Sequence, residues 1–417
     1  VTTAAPNEET DHHGDAERAP HGGGPSEAVA PPGGRPVPSG AEWATGALDQ
    51  VLARVGETLG EVGDRFPLFA DPGTGRWTTS GRGSWTGGFW AGLLWLRARR
   101  SGEEQDRAAA SACTARLARW VEADTATRGL ILWYGTALAG TDPGASALRT
   151  RAARACLRAY DPRLGMVPWG AALGGPRLLA RADGVPGMVP LLATRSATAA
   201  ASHLHRSLDL CVRGAEGPRP AWQWEEGTGT WRPYEEPPPG WTRGRAWLLL
   251  AVADALSAAP HAHAPGAAAA PGLGSDPGPG FDPGPDPGSG FDPGPDPGSE
   301  RLSTALEFLL PRDGEPLVPV ADEGVPGGPV DTSAAAITAV ALLKLARLPH
   351  ARSARHTERA QAILSRLTTR HLSRGRLLDG CYDLRRGTAV RHELVWGDFF
   401  LALGLAAVTG SADLTTV

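Results

Sequence analysis

The sequence predicts an all-α fold, an (α/α)6 toroid of six helical hairpins. Twelve stretches of helical length follow one another, apolar nearly all round and amphipathic by turns. A helix apolar on every side is a buried one, and an amphipathic helix can cover it. No convincing series of strands separates them, so the loop order of an α/β barrel does not fit. Three of the apolar stretches also open alike, at Trp85, Trp241 and Trp396. Inner helices of a toroid all run the same way, so these openings are expected to gather at one mouth.

Residues 1–40 carry almost no large apolar side chain and are rich in Gly, Pro and Ala. Such a segment cannot bury enough surface to offset its ordering entropy, which predicts a disordered arm. His12, His13 and His21 fall in it and are expected to be solvated rather than metal ligands. From residue 41 to 417 the chain is expected to form one toroid domain. Leu48, Val51, Leu52, Val55 and Leu59 fall on one face of a first helix. Ser84 to Leu96 reads as a buried helix, residues 103–122 as an outer one, 129–140 as buried and 144–160 as outer. Residues 187–196 are then inner and 197–213 outer.

Residues 214–240 are expected to be a long loop with Trp222, Trp224, Glu225, Glu226, Trp231, Tyr234, Glu235 and Glu236. Trp241 to Leu250 opens the next buried helix. Residues 259–299 are low-complexity, with Gly-Phe-Asp-Pro-Gly-Pro-Asp-Pro-Gly-Ser repeated at 280–289 and 290–299. Pro and Gly at this density exclude helix and sheet, which predicts a solvated insertion. Its aspartates lack the spacing of a calcium loop. Helices resume at 300–311, 331–347, 353–371 and 396–408.

The net charge of −4 argues against a nucleic-acid partner. No stretch of about 18 apolar residues is present, so no membrane span is expected. No signal peptide is visible, which predicts a cytoplasmic protein. Cys113, Cys156, Cys211 and Cys381 are far apart and lie in or beside apolar runs, as buried free thiols would. There is no phosphate loop, no Gly-x-Ser-x-Gly elbow and no His-Glu-x-x-His, so no cofactor or metal is expected. Oligomeric state is not legible.

The chemistry centres on Arg181-Ala-Asp-Gly-Val-Pro-Gly-Met-Val-Pro-Leu-Leu192. Asp183 stands in a Gly/Pro turn whose backbone can approach another surface closely. Held there against an apolar wall, a carboxyl would keep its proton more tightly and serve as a general acid. The alternative is that Asp183 caps the helix that follows. At the inner-helix openings, Trp85 and Trp247 suit stacking on sugar faces, or filling the wide end of the barrel. Trp90 and Trp95 fit packing better. Arg243 is expected to clamp a carboxylate, while Asp331 and Asp398 are expected to be N-caps.

Five stretches, in order, carry a resemblance: Trp85-Thr-Gly-Gly-Phe-Trp-Ala-Gly-Leu-Leu-Trp, Ala182-Asp-Gly near Pro190-Leu-Leu, Trp241-Thr-Arg-Gly-Arg-Ala-Trp, Asp331-Thr-Ser-Ala-Ala-Ala and Glu393-Leu-Val-Trp-Gly-Asp-Phe-Phe. Over residues 43–409, apart from the insertion, the chain resembles glycoside hydrolase family 88, the unsaturated glucuronyl hydrolases, as a divergent member. The resemblance implies hydration of the C4–C5 double bond of a terminal unsaturated uronic acid, followed by release of the sugar from an oligosaccharide. It implies Asp183 as acid/base, Arg243 as a substrate-binding residue, and Trp85 and Trp247 as walls of the pocket. The chain departs from the family at Thr127-Arg128, where a His-Asp pair is expected, at Ala221-Trp222 and at Arg232-Pro-Tyr234. An unsaturated rhamnogalacturonyl hydrolase and a toroid that binds carbohydrate or protein without turnover are the alternatives.

Overall fold

The computed structural model describes residues 42–213, 218–258, 297–349 and 352–417. The expected N-terminal arm and residues 259–296 of the expected insertion lie outside the described residues. Residues 297–299 do not belong to an insertion but open a helix.

The described chain is mostly helical. In chain order the helices are α1 (Glu42–Val62), α2 (Gly87–Ser101), α3 (Glu104–Arg116), α4 (Tyr134–Ala137), α5 (Pro143–Arg158) and α6 (Met188–Ala193). They continue with α7 (Ala197–Cys211), α8 (Thr242–Ala258), α9 (Pro297–Leu309), α10 (Thr332–Leu345), α11 (Ser353–Arg370) and α12 (Val395–Val408). A π-helical stretch, Gly129–Trp133, runs into α4.

The even-numbered helices pack on one another in order, α4 meeting α6 through the π-helical stretch, and α12 closes back on α2. The odd-numbered helices lie outside, each against one or both of its inner neighbours. The sequence explains the division. In α10 every residue but Thr338 is buried. In α11 only Ala360, Ile363, Leu364 and Leu367 are buried, a stripe at helical spacing. Trp90 and Trp95 are core residues, and Trp95 Nε1 donates to Thr114 Oγ1 at 2.9 Å.

The expectation of an all-α chain is corrected by three small sheets. One joins β1 (Phe66–Ala70), β2 (Trp77–Ser80), β8 (Gly380–Asp383) and β9 (Thr388–Leu394) in the order β2-β1-β9-β8. A second joins β3 (Leu179–Arg181) to the hairpin of β4 (Ala221–Glu225) and β5 (Thr230–Pro233). The third is the two-residue pair β6 (Leu372–Ser373) and β7 (Arg376–Leu377). These strands span two to seven residues, too few for most of them to show a period of two. They occupy the connections that lead into inner helices, and the expected loop at 214–240 contains one of the hairpins.

Two buried ionic groups hold elements together. Glu393, fully buried at the end of β9, accepts from Arg54 Nε at 3.1 Å, Arg54 Nη2 at 3.2 Å and Arg376 Nε at 2.9 Å. This ties β9 and β7 to α1. Between α8 and α10, Lys344 Nζ lies 2.7 Å from Asp254 Oδ1 in the core. The four cysteines are buried and unpaired, and burial pushes the thiols of Cys113, Cys211 and Cys381 up to about 12 and that of Cys156 to about 11.

Candidate active site

A cleft of about 1140 Å³ opens at the end of the ring where the inner helices begin. Trp85, Asp183, Arg243 and Trp247 all line it. They come from the openings of α2, α6 and α8, which the closed ring brings to one face.

Asp183 stands in a 3-10 turn, Ala182–Gly184, directly after β3. Its carboxylate is gripped fork on fork by Arg181, Nε to Oδ1 at 3.0 Å and Nη2 to Oδ2 at 2.9 Å. The guanidinium in turn lies 4.2 Å from the ring centroid of Trp169, which also lines the cleft. The apolar wall expected against Asp183 is therefore an arginine on an indole. Capping is not its role either, because α6 starts after Gly187 with no side-chain cap.

The turn itself docks as closely as its composition predicts. Gly187 has φ +69°, and a Cβ there would stand 2.3 Å from the carbonyl oxygen of Gly129. A Cβ on Gly129 would in turn meet the backbone nitrogen of Met188 at 2.2 Å. Two facing glycines thus let the turn lie on the π-helical stretch. Behind it, buried His203 of α7 accepts from Val167 N–H at 3.2 Å and its Nε2 lies 3.3 Å from the carbonyl oxygen of Gly184. Burial lowers the imidazole from 6.5 to about 4, so the ring is neutral, with Nδ1 accepting and Nε2 donating.

Arg243 reaches the cleft but not as a free fork. Its Nη1 bonds Asp331 Oδ2 and, at 2.6 Å, the carbonyl oxygen of Cys381, and Nη2 donates to the carbonyl of Tyr382 at 2.8 Å. Its Nε is buried without a partner among the described residues. The expected clamp on a substrate carboxylate is instead a strut between α8, the start of α10 and β8. Asp331 caps α10 as expected, accepting from Ser333 N–H at 3.0 Å. Asp398 does not cap α12: it lies inside the first turn and accepts from Leu377 N–H at 3.2 Å. Burial, and then neighbouring Glu393, hold its proton well above the usual carboxylate range.

The two tryptophans differ. Trp85 is half-buried, donates from Nε1 to Tyr382 Oη at 3.1 Å and stacks on that ring at an interplanar angle of 14°. Trp247 is 1% exposed and stacks on Phe89 at 18°, so it is floor as much as wall. Both readings of these residues, rim and packing, are thus represented.

At the first departure, Thr127 and Arg128 are buried behind the cleft. Arg128 donates to the carbonyls of Thr125 and Val121, at 3.1 and 3.2 Å. Asp124 binds Arg177 and Ala171 N–H and does not line the cleft. No carboxylate from this segment therefore faces Asp183.

Several lining residues escaped the sequence reading. Arg65, Arg82 and Arg385 line the cleft and have no carboxylate partner among the described residues. Asp322 also lines it, 8% exposed. A signal for Asp322 was available: Ala321-Asp-Glu-Gly-Val-Pro-Gly echoes Ala182-Asp-Gly-Val-Pro-Gly with one residue inserted. Among the described residues, no three His, Cys, Asp or Glu side chains form a metal-binding group, and no helix is long and apolar enough to cross a membrane.

No protein-family model matches the chain. A curated unsaturated glucuronyl hydrolase of Bacillus sp. (strain GL1) is 38% identical over 61 residues, a match that takes in 15% of this chain and 16% of that protein's length. The solved structure of unsaturated glucuronyl hydrolase from Bacillus sp. GL1, described as responsible for the degradation of glycosaminoglycan, aligns with a TM-score of 0.65 at 22% identity. That alignment covers 88% of this chain and 96% of the other. A variant of the Streptococcus agalactiae enzyme, complexed with dGlcA-GalNAc6S, aligns with a TM-score of 0.64 at 16% identity, covering 89% and 92%. The chain is thus similar to unsaturated glucuronyl hydrolases in fold and along one short stretch of sequence, as its motifs imply.

Proposed function

We propose that this chain is a six-hairpin, (α/α)6 toroid hydrolase that hydrates the C4–C5 double bond of a terminal unsaturated uronic acid and releases it from an oligosaccharide. The observation that carries this reading is the meeting of Asp183, Trp85 and Trp247 in one cleft whose lining also holds three arginines without carboxylate partners among the described residues. Aromatic faces suit sugar rings and arginines suit a uronate, which the dGlcA-GalNAc6S bound by the structural neighbour also carries.

In this reaction Asp183 delivers a proton to C4 and takes one from the water that attacks C5. The product is a hemiketal at C5. Its C5–ring oxygen bond breaks to give a ketone, C1 becomes a hemiacetal, and its collapse to an aldehyde releases the next sugar as an alcohol. Arg181 fixes the plane of the Asp183 carboxyl, and Trp169 fixes Arg181. The four buried thiols support a reducing, cytoplasmic setting.

The experiment is loss of the double bond's ultraviolet absorbance from a panel of unsaturated uronide and rhamnogalacturonide disaccharides. Turnover of a uronide supports the proposal, and turnover confined to rhamnogalacturonides selects the sister activity. The absence of any carboxylate at Thr127-Arg128 favours a second reading, a toroid that binds carbohydrate without turnover. Binding of the panel with no loss of absorbance would select it.

A further inference from the structure

Four carboxylates line the cleft, and three of them are engaged by arginine. Asp183 is held by Arg181, Glu236 by Arg386 at 3.2 Å, and Asp383 has Arg386 Nε at 3.7 Å. Asp322 has no lysine or arginine partner among the described residues. Its Oδ1 accepts from Gly324 N–H at 2.9 Å, and no protein donor among those residues reaches Oδ2. A carboxylate more than nine-tenths buried usually finds a cation or several donors, because taking the charge out of water is costly.

The surroundings hold Asp322 in this position. A Cβ on Gly240 would stand 2.1 Å from Asp322 Oδ1, so only glycine lets the chain pass there. Glu323 N–H donates to the carbonyl of Gly240 at 2.9 Å, and Trp241 pairs with Asp322 in an isolated bridge. The loop is thereby fastened to the opening of α8. Asp183 precedes α6 and Asp322 precedes α10, and α8 packs between those two helices. The two aspartates thus approach the cleft from either side of Trp241 and Trp247.

We propose that Asp322 is a second substrate-contacting carboxylate, which accepts hydrogen bonds from sugar hydroxyls across the cleft from Asp183. Its charge also keeps the uronate carboxylate off this side and turns it towards the arginines. This proposal rests on the carbohydrate reading of the cleft and deepens it, by assigning a residue that selects a neutral, hydroxyl-bearing part of the substrate.

The test is steady-state kinetics of Asp322→Asn and Asp322→Ala on whichever unsaturated disaccharide the wild type turns over. Asn retains an oxygen for Gly324 N–H, so the fold should hold. KM should rise about tenfold in the Asn variant and more in the Ala variant, the scale of one hydrogen bond to a charged group, with kcat little changed. Unchanged KM overturns the proposal. A large fall in kcat at constant KM also overturns it, since that is the mark of a proton-transfer group. A large drop in melting temperature in the Asn variant assigns Asp322 a structural role and overturns it too. If the wild type shows no turnover, calorimetric binding of the same panel and of neutral disaccharides separates the two ideas. Weaker sugar binding by Asp322→Asn then upholds this inference although the hydrolase reading has failed. Equal binding, or no sugar bound by the wild type, overturns it.

Discussion

Arg181 and Asp183 form a two-point ion pair at 3.0 and 2.9 Å, two residues apart at the end of one short strand. The pair stands at the wall of the cleft, its side chains 21% and 16% exposed. A carboxylate so held has a fixed plane and a fixed direction. Asp183 is therefore positioned without the apolar pocket that its sequence context suggests.

Arg243 is expected to matter for stability before affinity. In Arg243→Ala, fully buried Asp331 loses its cation, and the carbonyls of Cys381 and Tyr382 lose their donor. Breaking a buried pair by removing one partner costs about 3–5 kcal/mol. Chemical denaturation should show a loss of that order, and any remaining ligand affinity should fall alike for charged and neutral sugars. A stable variant that loses only uronate binding would restore the clamp.

His203 predicts a pH dependence whose sign follows from its lowered value. Above pH 6.5 its contribution is whole, since the ring is neutral in both the folded and unfolded chain. As pH falls below 6.5 the unfolded ring takes up a proton that the folded ring refuses until about 4. On the order of 3 kcal/mol is lost over that window, at about 1.4 kcal/mol per pH unit. The stability advantage of wild type over His203→Asn should shrink between pH 6.5 and 4. An advantage that is flat across this range would show that the ring is charged in the fold.

Asp398 has the opposite sign. Its proton is held well above the usual range by burial and by Glu393, so its contribution is full below about pH 4 and fades as the unfolded carboxyl ionises above that. Asp398→Asn keeps an oxygen for Leu377 N–H and has nothing to ionise. Thermal melts should find the variant equal to wild type near pH 3.5 and more stable than wild type at pH 8. A variant less stable at pH 8 than wild type would mean that the carboxylate charge is wanted beside Arg54 and Arg376.

The helices were legible because apolar periodicity survives in single stretches. The stripe of Ala360, Ile363, Leu364 and Leu367 is one example, and α10, buried at every residue but Thr338, is the other extreme. The turn at Asp183 was legible because Gly187 and Pro186 announce it. Its partner was legible in principle, since residues two apart at a strand end share a face. The short strands were not, being assembled by partners as distant as Phe69 and Leu394. Nor was the fate of Arg243, which is decided by groups 88 and 138 residues further on. Arg65 and Arg82 sit in the connection between α1 and α2 and Arg385 in that between β8 and β9, with no sequence pattern that joins them. Asp322 had a signal, its echo of the Asp183 turn, that local periodicity does not register.

Whether Asp183 moves the proton is decided by Asp183→Asn. The amide keeps the shape of the side chain and an acceptor for Arg181, so circular dichroism and sugar binding should persist. Turnover of an unsaturated uronide disaccharide, followed by its ultraviolet absorbance, should fall by at least the roughly 10²–10⁴-fold that a positioned acid/base contributes. An Asn variant as active as wild type would contradict the account and move the proton transfer to another carboxylate of the cleft.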